Sequence, residues 1–172
     1  MAGEVTANAV SGDVNTLVEL GNYSWLLSLF IVIVGWYVIY RNACKIATRA
    51  ETKALVDAAL SQLESATKLS LEYWLSGRRV RDDFATYELT IMGSITRLAI
   101  TIEVLEKRGL EVVPINDMLA EFSKATTLDA ERANSLAPDE VHFRASEVNE
   151  VSMDVTTKLL DSFHAKYKPS KV

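Results

Sequence analysis

The stretch Tyr23 to Tyr40, YSWLLSLFIVIVGWYVIY, runs eighteen residues without a formal charge, and nothing else in the chain restricts its fold as strongly. As a helix rising ~1.5 Å per residue it reaches roughly 27 Å, close to one bilayer hydrocarbon core. Tyr23 and Trp25 stand at one end, and Trp36, Tyr37 and Tyr40 at the other. Amphipathic rings settle at such positions along a membrane interface. The alternative is a buried core helix, since eighteen residues is near the short limit for a span. The aromatic belts and the basic flank Arg41, Lys45 and Arg49 favour the membrane.

The flanks also give a direction. Residues 1–22 carry Glu4, Asp13 and Glu19 but no Lys or Arg. Positive charge stays in the cytoplasm, so the amino terminus is expected outside an inner (plasma) membrane and the rest of the chain in the cytoplasm. The acidic start lacks the basic region of a cleavable signal peptide, so the span is expected to remain. Cys44 is the single cysteine, which excludes an internal disulfide and suits a reduced compartment.

About 130 of the 172 residues follow the span, enough for one compact domain. Residues 41–76 contain neither Pro nor Gly and are rich in helix formers. Leu55, Ala59, Gln62, Ala66, Leu69 and Tyr73 form one stripe there, and Leu60, Leu63, Thr67, Leu71 and Trp74 a neighbouring one. Two adjacent stripes fit a helix with more than one partner. Gly77 is expected to end it. The next helix is predicted from about Arg79 to Lys107, with Gly109 as its cap. Its heptad row is Val80, Phe84, Tyr87, Ile91, Ser94, Leu98, Thr101 and Leu105, widened by Ile95 and Ile102. Two short helices are predicted within 110–137, starting near Asn116–Asp117 and near Thr127 or Asp129. Pro138, with Asp139 and Glu140 in the first turn, opens the last long helix. Val141, Ala145, Val148, Ser152, Val155, Leu159 and Phe163 make its buried row.

The expected fold is therefore all-α and oligomeric. A single amino-terminal transmembrane helix (23–40) follows an outer segment (1–22). Then come a cytosolic antiparallel bundle of three long helices with two short connecting helices (41–168) and a tail (169–172). With three long helices, the turn at Gly77 and the carboxyl terminus fall at the same end of the bundle.

Gly21, Ser24, Ser28, Ile31, Gly35, Val38 and Asn42 recur on one side of the span. Such small or weakly polar residues make either a packing seam between copies of the helix or the lining of a narrow pore. Ahead of it, Val10, Val14, Leu17 and Val18 fit a short amphipathic helix, with Gly12 and Gly21–Asn22 as points where it is liable to break. In an oligomer Asp13 and Glu19 would form an outer acidic ring that attracts cations; otherwise they are solvated charges on a tail.

No catalytic, phosphate-loop or metal-ligand spacing is present, and His142 and His164 stand far apart. The chain is expected not to be an enzyme and to need neither metal nor cofactor. The sharper candidate is basic. Arg78, Arg79 and Arg81 at the Gly77 corner are expected near Lys166, Lys168 and Lys171. A helix amino terminus beside arginines favours anions. Tyr73, Trp74, Phe84 and Tyr87 are close enough to stack on a base if they are exposed, as in single-strand and nucleotide sites. Asp82 and Asp83 offset part of the charge.

The span Tyr23–Tyr40, the flank Arg41/Lys45/Arg49 and the corner Arg78-Arg79-Val80-Arg81 together give a layout that resembles single-span membrane effectors of bacterial anti-phage defence. In particular it resembles the membrane-channel component of Hailong-type systems. The resemblance implies an oligomeric channel held shut or opened by its cytosolic helices, under control of a nucleotide or single-stranded oligonucleotide. The alternative is a membrane-anchored helical scaffold that recruits a cytosolic partner protein.

Overall fold

The computed structural model describes the backbone of residues 5–76 and 83–168, and side chains from residue 25 onward within those ranges. Among the described residues all regular structure is helical. The chain divides into two units, Met1–Thr48 and Arg49–Val172. Helix α1 (Val5–Leu75) contributes to both.

In the first unit the helical backbone runs on through Gly12, Gly21 and Asn22, where the sequence allowed a break. A helical glycine costs only ~1 kcal/mol relative to alanine, too little by itself to end a helix. The most apolar eighteen-residue window within Trp25–Leu75 has a mean hydropathy of 1.6, and none of it is buried. By length and composition this helix is able to cross a membrane.

The second unit contains the end of α1, then α2 (Phe84–Lys107), α3 (Val113–Thr127), a short 3-10 turn (Ala130–Arg132) and α4 (Pro138–Lys166). Asp83 caps α2 by accepting from the Thr86 N–H. The helix ends in a Schellman arrangement: Gly109 takes φ 77°, and the Leu110 N–H reaches back to the Leu105 carbonyl. Leu105 and Leu110 are both buried beneath that turn. The heptad row holds at Tyr87, Ile91, Ile95, Leu98, Ile102 and Leu105. Every residue of the row predicted for α4 is buried.

The segment after α2 differs from expectation. Its first helix begins at Val113 rather than Asn116, because Pro114 fits the first turn, where no N–H is needed. At fifteen residues it spans roughly 22 Å, so it crosses the bundle rather than merely connecting two long helices. Ile115, Leu119, Phe122, Ala125 and Thr126 are its buried side.

That extra pass reverses the last helix. Tyr167 donates to Thr52 Oγ1 at 2.9 Å, Ser152 meets Thr67 at 2.7 Å, and Val141 lines a cavity with Trp74, so α4 runs antiparallel to α1. Tyr87 lies against Ser70 and Thr101 against Gln62, so α2 is antiparallel to α1 as well. Tyr87 with Thr126, and Met92 with Ser123, give the same sense for α2 and α3. The unit is thus an up-down-up-down arrangement of four helices, and the carboxyl end of α4 lies at the Thr52 end of α1, not at its Leu75 end.

Candidate functional site

At the carboxyl end of α1, Tyr73 and Trp74 are 2% and 0% exposed, and Tyr87 on α2 is 5% exposed. The Tyr73 and Tyr87 rings stack at 3.8 Å and 9°, and Trp74 stands edge-on to Tyr73 at 5.9 Å. The two tyrosine hydroxyls reach backbone. Tyr73 donates to the Ala130 carbonyl at 2.8 Å and Tyr87 to the Thr126 carbonyl at 2.7 Å. With its single proton used, Tyr87 accepts from Ser70, whose oxygen lies 2.9 Å away. Burial pushes the Tyr87 hydroxyl up to about 12, with Ser70 opposing and Tyr73 adding to the shift, so it remains a donor at neutral pH. The aromatics are therefore no platform for a base. They tie the end of α3 and the following turn to α1 and α2.

The turn itself is held by charge. Asp129 adopts the left-handed region at φ 60°, and its carboxylate pairs with Arg132 and with Arg144 at 2.7 Å. The hydrogen bond from Arg132, with help from Arg144, holds that carboxyl below its usual range.

Arg78, Arg79 and Arg81 lie outside the described residues, as does Lys171. Lys166 and Lys168 are exposed, and Lys166 donates to the Arg108 carbonyl. Arg49 and Lys166 stand over the Tyr167 ring at 5.8 and 5.6 Å. Arg108 pairs with Glu51 at 2.9 Å. These lysines thus belong with Thr52 and Arg108. Some twenty residues of α1 separate Thr52 from Trp74, roughly 30 Å. Lys166 and Lys168 thus lie at the end of α1 away from Leu75, because α3 adds a reversal that the three-helix reading left out.

Of the span stripe, Ser28, Ile31, Gly35, Val38 and Asn42 are exposed, and a Cβ built on Gly35 would meet nothing within 4 Å. Asp13, Glu19, Gly21 and Ser24 lie where only the backbone is described. His142 and His164 are exposed, and among the described residues no three His, Cys, Asp or Glu side chains gather around a point.

Sequence reasoning missed a groove of about 810 Å³ between α1 and α4, lined by Leu60, Thr67, Leu71, Leu75, Ser152 and Thr156 among others. On its floor Thr67 donates to the Leu63 carbonyl, so Ser152 supplies the proton of the Thr67–Ser152 bond. Thr67 and Ser152 each sit on a predicted stripe, but their pairing needs the α1–α4 register. Compared with family models, curated proteins and solved structures, the chain matches none.

Proposed function

We propose that the chain is an oligomeric single-span membrane channel whose helical second unit gates it, with the amino terminus outside and that unit in the cytoplasm. The observation that carries this reading is that every apolar side chain from Trp25 to Tyr40 is exposed, none of them buried by the described residues. Lipid or further copies of the helix are the surfaces that would remove them from water. The open surface at Gly35, on the same stripe as Ser28, supports close approach of a second helix. Arg41, Lys45 and Arg49 support the orientation. Control by a nucleotide or single-stranded oligonucleotide, in bacterial anti-phage defence, is the part of the proposal that rests on the resemblance of layout.

Conductance of liposomes holding the purified chain tests it. Ion flux is expected, altered by nucleotides or single-stranded oligonucleotides, and changed at least several-fold by Gly35→Leu or Ser28→Leu. A strictly monomeric protein giving no flux under any of these conditions would sink the channel. The second reading, a membrane-anchored scaffold, is favoured by the exposed row Leu89, Met92 and Ile100 on α2. It requires no flux, and a cytosolic partner lost on Leu89→Ser.

A further inference from the structure

A cavity of about 300 Å³ opens where α4 begins. Leu136, Pro138 and Val141 line it together with Trp74 and Leu75 from the end of α1, while Asn134 and His142 add polar groups. Trp74 is wholly buried, and among the described residues its indole Nε1–H has no acceptor. An indole nitrogen only donates, and a buried donor left unmade costs more than a made bond contributes. Its neighbours show how unusual this is, since Tyr73 and Tyr87 each reach a carbonyl within 2.8 Å. Trp74 borders the cavity, which offers a place for an acceptor from outside the chain.

We propose that this cavity binds a small uncharged molecule with a carbonyl or ring-nitrogen acceptor, of nucleobase or nucleoside size, which takes the Trp74 N–H. The volume sits at the lower end of small-molecule sites, and a lining somewhat more polar than apolar suits an occupant that forms hydrogen bonds. Asp139 and Glu140, in the first turn of α4, weigh against an anionic occupant. Glu140 is already engaged, accepting from the Ala137 N–H at 3.0 Å. His142 is exposed and lines the cavity, placed to bond a second polar atom of the occupant. The site needs neither the membrane nor an oligomer, so it stands apart from the channel reading.

The test uses the full chain in lipid nanodiscs, with Trp25→Phe and Trp36→Phe so that Trp74 is the one remaining indole. Thymidine, a short oligothymidylate and benzene are titrated while the indole N–H is followed by NMR. Thymidine is expected to move the resonance downfield saturably and to slow its exchange with solvent, whereas benzene, which has no acceptor, leaves exchange unchanged. Tighter binding by thymidine than by oligothymidylate assigns a free small molecule; the reverse assigns a base within a strand. His142→Ala, at an exposed position, is expected to weaken thymidine about three- to tenfold, one hydrogen bond's worth. No saturable shift with either carbonyl probe would overturn the proposal. So would a trapped water on the N–H that thymidine fails to displace, or a thymidine affinity unchanged in His142→Ala.

Discussion

Tyr87 joins three segments through one oxygen: it donates to the Thr126 carbonyl, accepts from Ser70 and stacks on Tyr73. Tyr87→Phe keeps the ring but leaves a helix-end carbonyl and a buried hydroxyl without it, so a loss of about 1–3 kcal/mol is expected in chemical denaturation. The same group dictates a pH dependence. Its unfolded value is near 10 and its folded value about 12. The unfolded chain therefore ionises first, and stability present below pH 10 drains away toward pH 12. The slope is at most ~1.4 kcal/mol per unit, and the Phe variant is expected to show less of it. The heptad row placed Tyr87 in the core. It gave no hint that the hydroxyl answers a carbonyl thirty-nine residues away.

Two glycines of α2 and its cap show how position sets sign. Gly109 sits at φ 77°, where a Cβ would meet Lys166 Nζ at 3.2 Å, the mobile end of a long side chain. The backbone, not the neighbour, resists substitution. Gly109→Ala is expected to cost about 1–2 kcal/mol and to lower Tm by a few degrees. Gly93, within the helix, has nothing within 4 Å of a built Cβ, so Gly93→Ala is expected to raise stability by about 0.5–1 kcal/mol. Thermal melts of the two variants check both directions. Gly109 and Pro138 marked helix ends correctly, whereas α2, read as starting near Arg79, starts at Phe84 with Asp83 as its cap. The start of α3 was not legible, because Asn116–Asp117 offers a good cap while Pro114 offers a good first turn, and only packing of Ile115 and Leu119 chooses between them.

At the scale of the molecule, among the residues whose side chains are described every buried apolar one falls between Val56 and Phe163, within the second unit. Residues 49–172 expressed alone are therefore expected to fold and to unfold in one cooperative transition by circular dichroism; a non-cooperative melt would mean that the core needs the preceding residues. Four crossings instead of three also move the end of α4. Lys166 and Tyr167 come to Arg108 and Thr52, at the opposite end of α1 from Leu75.

Period and charge along the chain were enough for the apolar helix, the helical class and the buried rows of α2 and α4, because each depends on neighbours within a few turns. The direction of α4, the Thr67–Ser152 groove and the stacking of Tyr73 on Tyr87 were decided only by tertiary structure. They depend on how many times the chain crosses the bundle, and a fifteen-residue segment counts as a connector or a crossing only once its apolar side has found a core to cover.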